Sequence, residues 1–194
     1  MTRAAAGLAL AVAGLAACTG GDPAPPQTSA PAPSTTTSAT TPTPPATSTT
    51  SAGPAFPAGL PDAAKTKDKA GAEAFVLHFV RTVNRAWTKP NPDAIAVLCL
   101  PASQSCGALV QTAAELQAKN RHYASDPVRL GKTIGLTPVD GEMRVQLESG
   151  QTGANIVDAS GAVVESENAS TSTRMFYMRW GVAGWAISAI KAVE

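Results

Sequence analysis

Histidine and cysteine are scarce in this chain, with two and three among 194 residues, and their placement removes several chemistries at once. His78 and His122 lie at no spacing that would let them join Cys99 and Cys106 around zinc, so no metal site is expected. The sequence also lacks a glycine-rich phosphate loop, a nucleophile elbow and a pair of carboxylates spaced as acid and base. No cofactor is expected and no catalytic residue is assigned. Charged residues make up 15%, with a net charge of +1, a balance that leaves no electrostatic footprint for nucleic acid. Outside the first residues no apolar run approaches the ~20 residues a membrane-spanning helix needs.

What is present begins with Arg3 and an uncharged, small and apolar stretch from Ala4 to Ala17, the layout of a signal peptide. Leu15, Ala16, Ala17 and Cys18 resemble a bacterial lipobox. The resemblance implies cleavage before Cys18, lipid on its thiol and a protein held on the extracytoplasmic face of the cell membrane. Two or three acyl chains anchor stably, at about 0.8 kcal/mol per buried methylene. An ordinary secretory signal cut after Ala17 is the alternative.

Residues 18–61 follow as a linker of Pro, Thr, Ser and Ala, with Asp22 as its charge and Phe56 and Leu60 as its large apolar residues. Such a composition cannot offset its ordering entropy, so a disordered tether is expected, about 35 Å end to end as a coil and about 120 Å as extended polyproline. Thr35 to Ser51 resembles an O-glycosylated stalk.

Residues 62–194 hold every Trp and Tyr of the chain and suffice for one domain with its own core. Ala72, Phe75, Val76, Phe79, Val80, Val83 and Trp87 recur at steps of three and four, which predicts an amphipathic helix over 69–87. Asn91 as cap and Pro92 at the first position open a short second helix. A third, capped at Ser103 or Ser105, runs to about Arg121. Export favours oxidised thiols, so Cys99 and Cys106 are expected to form a disulfide worth about 2.5 kcal/mol; two free thiols are the alternative.

Beyond Asp126 the period becomes alternating. Strands are predicted at 128–136, with a bulge at Gly131, at 143–147, in a tight hairpin across Ala159 to Gly161, and in a closing pair at 171–180 and 185–193 around Gly181 and Gly184. The fold class is α+β, with three helices packed on a mostly antiparallel sheet.

This element order is similar to the nuclear-transport-factor-2-like cone fold. The block Ala70, Gly71, Ala72, Glu73, Ala74, Phe75, then Asn84 and Trp87, the paired cysteines and Gly184–Trp185, together with the lipobox and tether, resembles a family of uncharacterised actinobacterial lipoproteins, a domain of unknown function. The resemblance implies an envelope lipoprotein with a curved, cone-like sheet and brings no catalytic residues. The gap between Cys99 and Cys106 is wider than the family's pattern.

His78 falls opposite the apolar stripe and is expected at the surface. His122, at the end of the third helix, suits a dipole-complementing role. Glu142, Glu148 and Asp158 fall near strand ends and turns. Met175, Tyr177 and Arg179 share one face of a strand, where an arginine among apolar neighbours can meet an anion or a ring; Phe176, Met178 and Trp180 share the other. Core packing accounts for most of these, and Arg179 is the first ligand-binding candidate. Three functions follow. The leading one is a non-enzymatic binding or scaffolding module that reaches an envelope protein, wall polymer or lipid. The others are a small-molecule carrier or enzyme using the cone interior, and an oligomerising spacer of an envelope assembly, the oligomeric state being open.

Overall fold

The structure, a computed structural model, describes residues 55–193. The leader, Cys18 and the linker through residue 54 lie outside the described residues.

A single-turn 3-10 helix, Asp62–Lys65, precedes α1 (Lys69–Thr88), α2 (Pro92–Ala96) and α3 (Gln104–Ala118). Asp68 caps α1 by accepting the Gly71 N–H at 2.7 Å. The apolar stripe of α1, including Phe75, Val76, Phe79, Val80 and Val83, is buried. Asn91 caps α2 with Pro92 at its first position, and Ser103 caps α3, as their side-chain chemistry requires.

Cys99 and Cys106 are joined as a disulfide across the α2–α3 connection. The chain on either side of Cys99 is also tied to the sheet, because Leu100 donates to the Ile187 carbonyl at 2.9 Å and Ile187 donates to the Leu98 carbonyl at 3.0 Å.

Among the described residues seven strands form two antiparallel sheets. The larger has the order β2 (Val128–Gly135), β3 (Met143–Thr152), β6 (Ala169–Gly181), β7 (Gly184–Ala192), and the smaller has β1 (Arg121–Tyr123), β4 (Asn155–Asp158), β5 (Val163–Ser166). The registers slip between Leu130 and Thr133 and between Tyr177 and Met178, and bulges of this kind bend a strand. At the first, a side chain on Gly131 would come within 2.6 Å of the Glu148 carbonyl oxygen, which explains glycine there. The three helices pack on the inner face of the larger sheet, where Met143, Val145, Leu147, Phe176, Met178 and Ile187 meet α1 in one core.

Several parts differ from expectation, and the strands form two antiparallel sheets where one was expected. The third helix stops at Ala118 rather than near Arg121: Asn120 takes a φ of 50°, a left-handed turn that asparagine tolerates. His122 therefore sits in β1, paired with Val157, and not at a helix end. Residues 55–61, assigned by composition to the linker, pack on the domain. The Ala55 N–H donates to the Val182 carbonyl at 3.1 Å, Phe56 meets the Trp180 ring at 6.2 Å, and Leu60 is buried. Those two large apolar residues are what separates this stretch from the linker before it.

Asn84 fixes how α1 lies on the sheet. It is buried, accepts from the Val128 N–H at 3.0 Å and donates to the Val128 carbonyl at 2.7 Å. One amide thereby satisfies both outward backbone groups where edge strand β2 begins. Glu73 satisfies one further group of this strand, accepting the Gly135 N–H at 2.7 Å. Among the described residues no helix is long and apolar enough to cross a membrane.

Candidate functional site: a cavity between helices and sheet

Side chains on the inner face of the β3–β6 pair follow a gradient. Residues directly opposite in an antiparallel pair share a face, and the register sets Met143 against Met178, Val145 against Phe176, Leu147 against Arg174, Ser149 against Ser172 and Gln151 against Ser170. Along this row the face passes from wholly apolar to wholly polar, with Arg174 at the change.

Over the polar half the helices do not close on the sheet, and a cavity of about 540 Å³ remains. Its floor is made by Phe79 and Val83 of α1 and by Leu147 and Phe176 of the sheet, all buried. Ala108, Leu109 and Thr112 of α3 form one wall. Trp87 leans on that wall, donating its indole N–H to the Leu109 carbonyl at 3.2 Å, and stacks on Tyr123 at 5.6 Å.

The mouth is polar and partly latched. The Tyr123 hydroxyl donates to Glu167 Oε1 at 2.6 Å, and the Gln151 amide donates to the other carboxylate oxygen, Oε2. Glu167 lies between β5 and β6, Tyr123 belongs to the smaller sheet and Gln151 to β3 of the larger, so the carboxylate links the two sheets. Burial, then the hydrogen bond to Glu167 and the charges of Glu167 and Glu165, push the Tyr123 phenol well above the usual tyrosine range. It stays a donor at any physiological pH. Arg174 also lines the cavity, and among the described residues no carboxylate pairs with it.

Met175, Tyr177 and Arg179 are not brought to this cavity. They lie on the outer face of β6, where Tyr177 receives the Lys191 ammonium over its ring at 5.1 Å and Arg179 Nε lies 3.5 Å from Glu142. With Arg179 63% exposed that ion pair is screened and contributes little. Glu142 also accepts from the Ser188 hydroxyl at 2.6 Å. Asp158 shapes the β4–β5 turn, accepting from the Ser160 hydroxyl and from the Ser160 and Ala162 N–H groups; those bonds hold its carboxyl below the ordinary range. His78 is half-buried on α1, and burial, with Arg85 and Arg81 nearby, lowers its imidazole.

The residues at the mouth were missed in sequence because they lack a motif. Glu167 and Tyr123 are 44 residues apart. Arg174 carried a usable signal, since it stands an even number of residues from Phe176 and so shares its face.

No family profile and no curated sequence matches this chain. Solved structures do. The intermembrane-space region of the chloroplast protein ARC6 aligns over 66% of this chain and 98% of that one, at 17% identity and a TM-score of 0.50. The β subunit of benzoate 1,2-dioxygenase from Burkholderia mallei aligns over 66% and 91%, at 10% identity and 0.45. Aln2 from a Streptomyces species aligns over 66% and 91%, at 11% identity and 0.44. Identities this low speak of fold and not of function. The likeness to the ARC6 region agrees with the element order above: the described part of this chain is an α+β domain, three helices packed on antiparallel sheets.

Proposed function

We propose that this chain is a cell-envelope lipoprotein of the actinobacterial type it resembles, anchored through lipid on Cys18, whose domain is a non-enzymatic module that binds a small, largely apolar molecule. The observation that carries the binding reading is the cavity. At about 540 Å³ it falls in the range of small-molecule sites, roughly 300–1,000 Å³, and it has the apolar floor and few polar mouth groups such sites use. Its chemistry favours holding over converting a ligand. The floor residues Phe79, Val83, Leu147 and Phe176 offer no proton acceptor, while Glu167 has both oxygens engaged at the mouth.

The chain enters this domain at the far end of β6 from the mouth. Ala55 bonds Val182 at the β6–β7 turn, and the strand from Ser170 to Gly181 is about 35 Å long.

The neutral fluorophore N-phenyl-1-naphthylamine tests the binding reading. Its emission rises on mixing with the full chain and does not rise with Ala108→Trp, which places an indole into the cavity from an exposed position on α3. Equal enhancement by both proteins would place the dye elsewhere and refute the reading. For the anchor, Cys18→Ala is expected in the medium; a variant still sedimenting with membranes after a high-salt wash would refute it.

A further inference from the structure

Within the cavity reading, on which this inference rests, we propose that the ligand is an amphiphilic anion and that Arg174 selects it by its charge. Three observations converge on this residue. Arg174 sits at the step where the inner face changes character, opposite the buried Leu147 and between Ser172 and Phe176. An apolar body lying against Phe176 and Leu147 therefore brings its head to the guanidinium and to the hydroxyls of Ser149 and Ser172. The guanidinium has no carboxylate partner among the described residues, and it is exposed, so it remains hydrated and ready to exchange water for an anion. The negative group at the mouth is committed elsewhere: Glu167 receives Tyr123 on one oxygen and Gln151 on the other, which lowers its capacity to attract a cation.

A planar guanidinium recognises a carboxylate or a phosphate head through paired N–H donors. The head chemistry is common to a free fatty acid and a phospholipid, and the probes separate these sources.

Isothermal titration of the full chain with octanoate, 1-octanol and octylammonium reads the charge preference at constant apolar length. Octanoate is expected to bind about tenfold more tightly than octanol, the size of one partly solvated charge-assisted hydrogen bond, and octylammonium more weakly than either. Arg174→Gln removes the octanoate advantage, weakening octanoate far more than octanol; Arg174→Lys restores part of it. Octyl phosphate binding more tightly than octanoate would identify a phospholipid-type head, and the reverse order a fatty-acid type, either supporting an anion site. Equal affinity for octanoate and octanol, or an advantage that survives Arg174→Gln, would overturn the role of Arg174 while leaving the cavity reading intact. Tighter binding of octylammonium would overturn it in favour of Glu167. If none of the probes binds, the cavity reading fails and this inference with it.

Discussion

Replacing Asn84 by alanine tests how helix α1 is held on the sheet. The amide makes two hydrogen bonds to Val128, at 2.7 and 3.0 Å, in a position only 4% exposed. Alanine leaves the Val128 N–H and carbonyl facing an apolar helix without partners. Each such loss costs about 1–2 kcal/mol once the unsatisfied group is included, so the variant loses about 2–4 kcal/mol. For a domain of this length each kcal/mol shifts Tm by roughly 3–5 °C, which puts the drop at about 6–20 °C by circular dichroism at 222 nm. Asn84→Asp sharpens the argument. A protonated acid can donate to the carbonyl and accept from the N–H as the amide does, whereas a carboxylate sets negative charge against the carbonyl oxygen. Its folded pKa is therefore raised above the unfolded value of about 3.9. The aspartate variant then matches the native chain most nearly below about pH 4 and loses stability as pH rises through the raised folded value. A Tm for Asn84→Ala within about 2 °C of the native chain, or an aspartate variant whose deficit ignores pH, would refute this reasoning.

Other outcomes follow from the same structure. Reducing the Cys99–Cys106 bond destabilises the domain by about 2.5 kcal/mol, as the eight-residue ring of the chain-entropy model requires; denaturant midpoints that coincide with and without reductant would contradict it. Tyr123→Phe breaks the latch to Glu167 and costs about 1–2 kcal/mol near neutral pH. Because folding raises the Tyr123 pKa, the stability tied to its neutral form is complete below about pH 10 and is lost as pH climbs toward the folded value, so the phenylalanine variant shows less alkaline destabilisation than the native chain. Gly184→Ala is strained twice, by a φ of 87° and by a Cβ only 2.9 Å from the Phe56 ring. It costs about 1–3 kcal/mol, and pairing it with Phe56→Ala gives a combined loss smaller than the sum, read by chemical denaturation.

Much of the architecture could be read from local chemistry. The stripe from Ala72 to Trp87, the Asn91–Pro92 helix start, the Ser103 cap, the bulge at Gly131 and the closing hairpin each depend on neighbours within a few positions, and each stands in the structure where its residues require. The disulfide follows the same logic. What escaped was decided by faces and by distance. Both faces of β6 carry apolar and aromatic residues, so alternation could not say whether Phe176 or Tyr177 turns inward; packing on α1 settled it for Phe176. The strand predicted from Met143 stopped at Leu147 because the inner positions beyond it, Ser149 and Gln151, are polar. That polarity belongs to the mouth of the cavity, so the feature that ended the apolar pattern is the one that marks the site. β1 was hidden for a different reason: its three residues gain their partner only when β4 arrives from more than 30 residues away, as Tyr123 pairing with Ile156 shows.

The central claim is that ligands enter between the helices and the inner face of the sheet. Methyl chemical-shift mapping of the full chain with 1-octanol tests it most directly. The account predicts shifts at Val83, Leu109, Leu147 and Ile190, with Met175 on the outer face unmoved. Shifts confined to Met175 and its outer-face neighbours, or none at saturating octanol, would contradict it.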